Sequence, residues 1–470
     1  MPSVLIVGGG ICGLGAALLL ARDGHDVTVL ERDAESLPDS PDDAWNRWGR
    51  KGVAQFRQPH NFMPGLRLLL EAELPDVQAA LARAGTGRFD MANPLPPFPD
   101  QSKRPIDDQL WTLTARRPVG EWVFGQTADR EPRVTIRRGV QVTELLTGSA
   151  AMNGTPHVAG VRTADGEELR ADLVVDAAGR QSRSSEWLAA IGARAPYEEQ
   201  EDCGFVYYTR YFRGGQPPRR GPVLTPIGTI SLLTLPGDNG TWSVTIFTST
   251  CDQPLKALRH KDKWTNVVRA CPLHAHWIDG EPVTGILPMS GIVDRYRRFV
   301  VDGSPVATGF VAVADAWACT NPSAGRGLTV GFLHAKLLRD VLRETGAEPR
   351  ALVEEFDRRT EMDTARWYRA QIAADRMRFA EMDALREGRQ PPGPATDLAK
   401  AIGALFMTGS ADADLFRSLL EYIGTITPAQ EIVRRPEVAE RIRAVRDAMK
   451  DMPLPRMPGP DRKQLLDLVA

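Results

Sequence analysis

The clearest pattern of apolar and polar positions in this chain lies in its first 31 residues. A short apolar run, Val4 to Val7, has the length and composition of a strand buried in a parallel sheet. A glycine-rich turn follows, and then a predicted helix from Cys12 to Asp23. After Gly24 a second apolar run, residues 26–30, ends at Glu31. The order of strand, glycine turn, helix and strand predicts a βαβ unit.

Helical and strand patterns alternate as far as residue 185. Apolar residues at helical spacing predict one interrupted helix over residues 62–84. Five prolines between Met91 and Pro105 exclude a helix there, and Pro118 predicts the first turn of another. The strands predicted in this part are residues 111–114, 134–137, 140–146, 158–163 and 168–175, with a hairpin turn at Asp165-Gly166 between the last two.

Residues 203–213, 229–236 and 241–248 have the pattern of a separate antiparallel sheet. Trp242, Val244 and Ile246 share one face of it, which is predicted to be either a substrate wall or ordinary core. A buried strand over 309–314 then leads through a loop to a helix over 328–344, and the chain after 349 is nearly all helical. A stripe of large apolar residues there is interpreted as packing: Trp367, Ile372, Met377, Phe379 and Met382.

Composition narrows the class of protein. The 470 residues suffice for two or three domains, and a formal net charge of −2 provides no basic field for nucleic acid or an anionic membrane. The five cysteines are widely spaced without a C-x-x-C pair, which is typical of a reducing compartment without disulfides or zinc. No apolar run approaches the roughly 18 residues of a membrane span, and the N-terminus lacks the pattern of a signal peptide. We therefore expect a cytoplasmic protein with no membrane span, no nucleic-acid partner and no metal.

Gly8, Gly10 and Gly13 match the G-x-G-x-x-G fingerprint in its required place between strand and helix. The first glycine turns the chain, the second admits a pyrophosphate and the third lets the helix pack on the strand. The free N–H groups at the helix start attract the phosphate. Glu31 is placed to accept ribose hydroxyls and would repel a 2′-phosphate, which leaves FAD and NAD as ligands.

Three later segments bear on the same ligand. The cations between Arg47 and Arg57 either bind phosphate or form a solvated basic loop. The segment from Asp176 to Arg180 is either a backbone pressed close to a ligand or an ordinary strand end. Asp315 ends a further strand, and the amide groups at Gly327 and Leu328 suit an electron-rich ring edge such as the N1–C2=O2 edge of a flavin.

These three motifs, in this order, resemble those of the group A flavoprotein monooxygenase superfamily, which has the glutathione-reductase-type FAD fold of para-hydroxybenzoate hydroxylase. The resemblance covers residues 1 to about 345 and is specific for FAD, not for a substrate. Residues 52–60 and 176–188 are most similar to actinobacterial polyether epoxidases and related natural-product oxygenases.

The resemblance implies further cofactor-binding residues. Arg50 matches the arginine that contacts the FAD pyrophosphate, Arg117 one at a helix start near the same cofactor, and Asp315 the acid near the ribityl chain. We expect Glu31 to lie nearer to solvent than Asp315. The complete set of predicted cofactor-binding residues is Gly8, Gly10, Gly13, Glu31, Arg32, Arg50, Arg117, Asp315, Pro322, Gly325, Arg326, Gly327 and Leu328.

The sequence departs from the family pattern at three places. Ala314 stands where a glycine is usual before the acid, and Trp317-Ala318 where Ala-His is usual after it. The usual central Asp-Gly is replaced by Asp176-Ala-Ala-Gly179, which is nearer to the halogenase and reductase variants. The last departure weakens the case that this segment handles NAD(P)H.

The predicted fold class is α/β, with a discontinuous Rossmann-like FAD-binding domain (residues 1–90, 106–185 and 286–345), an inserted antiparallel β-sheet substrate domain (91–105 and 186–285) and a helical C-terminal region (346–470). The motifs before and after the sheet must both reach the cofactor. The sheet is therefore expected to cover the flavin ring.

The predicted function is an FAD-dependent monooxygenase that hydroxylates or epoxidises a small hydrophobic natural-product intermediate with O2, through a flavin C4a-hydroperoxide. NADH or NADPH would be a transient electron donor, or a separate flavin reductase would supply reduced flavin, because a second glycine fingerprint is absent from the sequence. The alternatives are a flavin-dependent halogenase, a geranylgeranyl-reductase-like oxidoreductase and a flavin-binding redox sensor. For the halogenase the W-x-W-x-I-P motif is absent and Lys51 is a weak candidate lysine. The sequence identifies no acid–base residue.

Overall fold

The computed structural model describes residues 1–346, 348–449 and 457–470 of the chain. A parallel sheet, here called the base sheet, has five strands in the spatial order Phe310–Ala312, Leu173–Asp176, Ser3–Val7, Asp26–Glu31 and Val134–Arg138. Its central strands are nearly continuous apolar runs because both faces of the sheet are covered.

Helices cover one face of the base sheet: Ile11–Arg22, Arg117–Ala128 and Gly327–Thr345. The first and third of them pack closely at Gly15, where an added Cβ would lie 2.3 Å from the ring of Phe332. The other face is covered by a small antiparallel sheet of three strands, Val142–Thr147, Val158–Thr163 and Glu168–Arg170. The predicted Rossmann-like unit is therefore confirmed.

The prediction of a single strand over residues 168–175 is wrong, because the chain changes sheets after Arg170. Glu168–Arg170 pairs in the small antiparallel sheet and Leu173–Asp176 in the base sheet. Asp172 fixes the crossing, since its carboxylate accepts hydrogen bonds from the backbone N–H (2.7 Å) and the hydroxyl (2.8 Å) of Ser3. Both sheets bury apolar side chains, so the apolar pattern alone does not mark the crossing.

The separate antiparallel sheet is also present. Its strands, in spatial order, are Leu224–Ile227, Ile230–Pro236, Thr241–Ser249, Phe205–Arg213 and Glu281–Pro282, with Leu287–Met289 paired to Phe205–Arg213. This last pairing corrects the predicted boundary at residue 285, because the sheet extends to Met289. Pro282 and Pro288 concealed these short strands, since proline removes a ladder hydrogen bond and is confined to sheet edges. The remaining division into domains stays a prediction.

The two faces of the antiparallel sheet have different neighbours. Trp242 and Ile246 belong to a buried core with Trp264 of the helix Lys261–Arg269. The opposite face carries Phe205 and Phe247, which line a large cavity. The face of Trp242 is therefore core and the opposite face is the cavity wall, a choice that the sequence left open because both faces are apolar.

The remaining elements connect these layers. The small sheets are Asn61–Phe62 with Trp111–Thr114 and Gly87–Asp90, Tyr197–Asp202 with Val293–Arg298 and Ala318–Cys319, and Val300–Val301 with Ser304–Pro305. The short helices are Pro41–Asn46, Pro64–Glu73, Pro75–Arg83, Ser184–Ala190 and Arg462–Val469. The interrupted helix predicted over 62–84 is thus two helices that meet at Pro75, where the proline prevents a continuous one.

The C-terminal region is helical, as predicted. Its helices are Pro349–Arg359, Ala365–Arg386, Asp397–Thr408, Ala413–Ile423, Ala429–Arg434 and Pro436–Met449, with a π-helical turn at Thr360–Thr364. The proline-rich segment 91–105 contacts this region, because Arg417 donates a hydrogen bond of 2.7 Å to the carbonyl of Ser102. It also contacts the chain between two strands of the antiparallel sheet through Arg219, which donates to the carbonyl of Met91 (3.0 Å). In the described parts of the chain, none of the helices is long and apolar enough to cross a membrane.

A buried ion pair joins the antiparallel sheet to the start of the helix Arg117–Ala128, which packs on the base sheet. Arg116 precedes the helix Arg117–Ala128, and Asp238 lies in the hairpin turn before Thr241–Ser249. The carboxylate of Asp238 accepts hydrogen bonds from the backbone N–H (2.7 Å) and the guanidinium (2.6 Å) of Arg116. Both side chains are at most 1% exposed. The hairpin turn is thereby fixed in one position against the start of this helix.

We predict that Asp238→Asn lowers the free energy of unfolding by about 3–5 kcal/mol, because Arg116 is left buried without its counter-ion. Denaturant unfolding of the purified variant measures the loss. Combining it with Arg116→Met should restore part of the stability, since the unpaired charge is removed. Glu167→Gln, in the exposed pair with Arg137, is the control and should leave the unfolding midpoint nearly unchanged. An unchanged midpoint for Asp238→Asn would contradict the proposed role of the pair.

Candidate functional site

A single cavity of about 2120 Å³ extends from the glycine turn, across the carboxyl ends of the base strands, to the antiparallel sheet and the C-terminal helices. Ligand pockets commonly measure about 300–1,000 Å³. The cavity therefore has room for a dinucleotide together with a second molecule. It is lined by residues from all three regions, among them Gly10, Glu31, Asp315, Phe247, Trp367 and Asp375.

The glycine turn has the geometry that a phosphate site needs. An added Cβ would lie 2.5 Å from the carbonyl oxygen of Ala177 at Gly8, whose φ is +113°, and 2.0 Å from that of Gly8 at Gly13. At Gly10 an added Cβ would meet no atom within 4 Å, so the space beside it is open to the cavity. No side chain caps the helix Ile11–Arg22, whose first amide groups are left without a capping acceptor. The turn fits a pyrophosphate.

Glu31 supports this turn from behind. Its carboxylate accepts hydrogen bonds of 2.9 Å from the backbone N–H groups of Gly9 and Asp33. The residue is only 8% exposed, whereas the side chain of Asp315 is 29% exposed. The expectation that Glu31 lies nearer to solvent is therefore wrong. The sequence did not show that the same carboxylate also holds the backbone of the glycine turn.

Arg50 reaches the glycine turn, but three carboxylates already surround it. Its guanidinium lies 2.7 Å from Glu31, 3.0 Å from Asp33 and 3.0 Å from Glu121. The side chain of Glu121 is completely buried. Arg50 is therefore firmly held beside the phosphate position, and its predicted contact with the pyrophosphate stays a prediction.

Arg117 lies next to Arg50 and shares its buried acid. Its Nε donates to Glu121 (2.7 Å), and one terminal nitrogen lies 3.2 Å from Nε2 of His60. Burial and the nearby Arg117 lower the pKa of His60 to about 3, so the imidazole is neutral and accepts this hydrogen bond. His60 therefore helps to position Arg117. The sequence did not reveal this role.

Arg32 occupies the outer edge of the same end. It is exposed and donates a hydrogen bond to Gln181. An added Cβ at Gly52 would lie 2.8 Å from its guanidinium. Lys51, the candidate halogenase lysine, is exposed on the neighbouring loop.

The central motif has a structural role at its first residue. Asp176 is fully buried, and its carboxylate accepts hydrogen bonds from the hydroxyl of Ser182 and the backbone N–H of Ala178 (2.9 Å). Arg180 lines the cavity, with its Nε 3.7 Å from Asp315. Asp176 thus shapes the turn, and the side chain of Arg180 reaches the cavity.

The segment predicted to bind the ribityl chain and the flavin ring begins at Ala314. This residue has φ +53°, the left-handed conformation that glycine adopts freely, which explains why a glycine is usual there. The following Asp315 projects into the cavity, and its carboxylate accepts no hydrogen bond from any other described residue. It is thus available to bind hydroxyl groups.

The loop from Pro322 to Arg326 leads into the helix Gly327–Thr345, which no side chain caps. Pro322, Gly325, Gly327 and Leu328 all line the cavity. The free amide groups of this helix start therefore face the chamber that Asp315 enters. This arrangement fits the pyrimidine edge of a flavin.

Arg326 differs from the other loop residues, because its side chain points into the C-terminal region. It donates to the hydroxyl (3.0 Å) and the carbonyl (3.1 Å) of Tyr422 and lies 4.0 Å from the centre of that ring. The side chain therefore anchors the loop. Its tyrosine partner lies beyond residues 1–345, which carry the motifs of the resemblance.

The sequence missed the contribution of the helix Ala365–Arg386 to the cavity. Trp367 and Met377 of the stripe interpreted as packing line the cavity, together with Tyr368, Gln371 and Asp375. Burial raises the pKa of Asp375 to about 7, so this carboxyl group changes charge near neutral pH. No local sequence signal marks an acid on an amphipathic helix as a cavity residue, since acids normally occupy the solvent face.

Comparisons with known proteins agree with this geometry. The family model of FAD-dependent oxidoreductases matches residues 3–39, the βαβ unit with the glycine turn. The tryptophan halogenase model matches residues 131–192, from the edge strand of the base sheet past the central motif. Protein Rv3254 of Mycobacterium tuberculosis is 25% identical over 386 residues, which cover 77% of each chain.

Two solved structures have a similar fold. PqsL, described as a probable FAD-dependent monooxygenase from Pseudomonas aeruginosa, superposes with a TM-score of 0.60 at 16% identity and covers 81% of this chain and 99% of its own. OxyS, an anhydrotetracycline hydroxylase from Streptomyces rimosus, superposes with a TM-score of 0.56 at 17% identity and covers 90% of this chain and 76% of its own. At these identities the likeness shows the fold.

The nucleotide-binding segment matches the model of FAD-dependent oxidoreductases, and the fold is similar to that of PqsL and OxyS. The protein is therefore an oxidoreductase with FAD as its cofactor, as the sequence predicted. The predicted resemblance and the predicted fold class are both confirmed.

We predict that Gly10→Leu abolishes FAD binding without loss of the fold. The backbone at Gly10 (φ −76°) accepts any residue, and the added side chain enters the open space where the phosphate would lie. Absorbance of the reconstituted protein at flavin wavelengths and thermal unfolding of the apoprotein measure the two effects. Gly13→Ala is the contrasting variant and should destabilise the apoprotein as well, because its Cβ would collide with the Gly8 carbonyl. Normal FAD content in Gly10→Leu would place the cofactor elsewhere.

We also predict that Asp315→Ala weakens FAD binding about 10–100-fold, the loss expected for a charge-assisted hydrogen bond of about 1.5–3 kcal/mol. Its unfolding temperature should hardly change, since its carboxylate accepts no hydrogen bond from a described residue and its ion pair with Arg180, at 3.7 Å, is long and partly exposed. Glu31→Ala should weaken FAD binding and also lower the unfolding temperature, because two backbone N–H groups and Arg50 lose their acceptor. Fluorescence titration with FAD and thermal unfolding separate the two patterns. Equal losses of stability in both variants would refute the distinction.

Proposed function

We propose that this protein is an FAD-dependent monooxygenase that hydroxylates or epoxidises a small hydrophobic molecule with O2. One observation carries this proposal. The cavity that begins at the nucleotide-binding turn continues, without a dividing wall, into a chamber between the antiparallel sheet and the C-terminal helices. A cofactor lying along the turn would therefore present its reactive ring to a molecule in that chamber.

The residues around the cavity suggest how FAD would lie. At the adenosine end, Glu31 would accept ribose hydroxyls, with Arg32 at the outer edge. The turn of Gly8, Gly10 and Gly13, flanked by Arg50 and Arg117, would hold the pyrophosphate. Asp315 would bind the ribityl hydroxyls, and the loop 322–328 would meet the ring, with the free amides of Gly327 and Leu328 at its pyrimidine edge. Bound FAD supplies the oxygen-activating chemistry.

The chain itself supplies the substrate chamber. Phe205, Phe247 and Leu233 line it from the antiparallel sheet, and Trp317 and Pro322 from the cofactor side. An apolar chamber of this kind binds a hydrophobic substrate and limits the access of water. We therefore propose that the antiparallel sheet, with segment 91–105, is the substrate domain. The C-terminal helices complete the chamber, a role not expected from the sequence.

The electrons would come from NADH or NADPH bound transiently, or from reduced flavin delivered by a separate reductase. The glycine fingerprint at residues 8–13 is assigned to FAD, so the nicotinamide has no comparable site in the sequence. The departure at Asp176-Ala-Ala-Gly179 is consistent with either route.

A flavin-dependent halogenase is the second candidate, because the tryptophan halogenase model matches residues 131–192. That segment, however, contains base-sheet strands and the central turn, which contact the cofactor side and not the substrate chamber. Lys51 is exposed on a loop outside the chamber lining. The match thus supports the flavin site more than the halogenation chemistry.

The expected result is incorporation of one oxygen atom from O2 into an apolar substrate by the FAD-loaded protein. Incubation with NADH or NADPH, a library of apolar alkenes and aromatics, and ¹⁸O2 should yield a product that carries one labelled atom, detected by mass spectrometry. Gly10→Leu, which lacks the cofactor, is the matched control. Parallel incubations with chloride and bromide distinguish the second candidate. Halogenated products without labelled oxygen would refute the monooxygenase.

A further inference from the structure

Asp375 lies midway along the helix Ala365–Arg386, on the face that lines the cavity. One carboxyl oxygen accepts hydrogen bonds from the side-chain amide of Asn321 (3.0 Å) and the hydroxyl of Ser323 (3.1 Å). The other accepts one from the side-chain amide of Gln371 (2.9 Å). The residue is 7% exposed. It is thus a buried, precisely held acid at the edge of the chamber.

The partners of Asp375 connect it to the loop assigned to the flavin ring. Asn321 and Ser323 flank Pro322, and the chain continues from there to the helix start at Gly327. Asn321 is itself fixed, because its backbone N–H donates to Asp294 (2.6 Å) and its side chain accepts from the hydroxyl of Tyr207. The acid therefore sits against the cofactor loop on the side of the C-terminal region.

A purely structural role does not account for an acid at this position. All three partners are neutral donors, and Asp375 takes part in no ion pair within the described residues. Keeping a buried carboxylate ionised without a cation is costly. An asparagine would link the helix to the loop without that cost, so the acid suggests a use for its proton.

Among the titratable groups that surround it, Asp375 is the one whose charge changes nearest to pH 7. The titratable side chains that face it are Asp294, Tyr207 and Cys203. Burial raises the pKa of Cys203 to about 12 and that of Tyr207 well above its usual value, so both remain uncharged. Burial raises the pKa of Asp294 to about 6, so it is mostly charged at neutral pH. Its charge, together with burial, favours the protonated form of Asp375.

We propose that Asp375 is the proton donor for the reduction of dioxygen in this cavity, a proposal that rests on the proposed function. Oxidation of anionic reduced flavin by dioxygen takes up one proton: FADH⁻ + O2 + H⁺ gives FAD + H2O2. In oxygen transfer the same proton ends in water: RH + O2 + NAD(P)H + H⁺ gives ROH + NAD(P)⁺ + H2O. The carboxylic acid form of Asp375 supplies this proton, and its carboxylate recovers one from water between turnovers.

The test compares Asp375→Asn with a matched control, Asp294→Asn. The asparagine at 375 retains an acceptor for Asn321 and Ser323. Its new N–H₂ group has an acceptor if the amide of Gln371 rotates, because Oε1 of that side chain is buried without a partner. Asp294 is a second buried acid bonded to the same Asn321, but it does not line the cavity. Each variant therefore removes one buried acid bonded to Asn321, but only Asp375→Asn removes the acid that lines the cavity.

The FAD-loaded proteins are photoreduced and mixed with O2 in a stopped-flow instrument at a series of pH values from about 5.5 to 8.5. The wild-type rate of flavin re-oxidation should fall as the pH rises through about 7, where the acid form is lost. Asp375→Asn should be about 10²-fold slower at the acidic end and nearly independent of pH. Asp294→Asn should keep the dependence on pH, displaced to lower pH because a neighbouring negative charge is gone.

A second measurement does not depend on turnover. Infrared difference spectra of the titrated protein should show the band of a protonated carboxyl group that disappears near pH 7 in the wild type and in Asp294→Asn. Asp375→Asn should lack this step and keep only the one near pH 6 that belongs to Asp294. An Asp375→Asn protein that binds FAD and keeps the wild-type rate and pH dependence overturns the assignment while leaving the proposed function intact. A protein that binds no FAD, or whose reduced flavin does not react with O2, overturns both.

Discussion

The buried ion pair between Arg116 and Asp238 decides where the two halves of the molecule meet. Arg116 holds the hairpin turn of the antiparallel sheet, and the next residue, Arg117, reaches the buried carboxylate of Glu121 beside the glycine turn. The neighbouring residues Arg116 and Arg117 therefore fix both the antiparallel sheet that covers the chamber and the predicted phosphate end of the cofactor site. A shift of the sheet would displace the helix start that carries Arg117, so the two positions are coupled through the backbone.

The charges at the glycine turn indicate how a diphosphate would be held. Arg50 is surrounded by Glu31, Asp33 and Glu121, so much of its charge is already neutralised within the protein. Arg117 is likewise paired with Glu121, so the attraction for a phosphate must come largely from the uncapped amides after Gly10. This explains why open space at Gly10 matters more than an additional cation. The buried acids keep the arginines in place and restrict them to one geometry.

Most of the base sheet and the glycine turn could be predicted from the sequence. The βαβ unit has a local sequence pattern, and a specific steric requirement explains each glycine of the turn. The change of sheets at Asp172 could not, since the apolar pattern continues across it. The cavity face of the antiparallel sheet was also undetermined, because both faces bury large side chains. His60 and Asp375 were missed for a further reason. Their roles depend on contacts with residues distant in sequence, 57 positions away for Arg117 and 54 for Asn321.

The loop from Asn321 to Gly327 is held mainly by the region that follows it. Asp375 binds its first part through Asn321 and Ser323, and Tyr422 binds Arg326 at its end. The sequence motifs that resemble those of known flavoproteins all lie before residue 345, and both partners follow them. These motifs thus supply the cofactor-binding elements, while the C-terminal helices fix the loop at the proposed reactive end and contribute the acid there. Variation in the C-terminal helices would therefore change the substrate chamber and the proton supply together, without altering the nucleotide-binding turn.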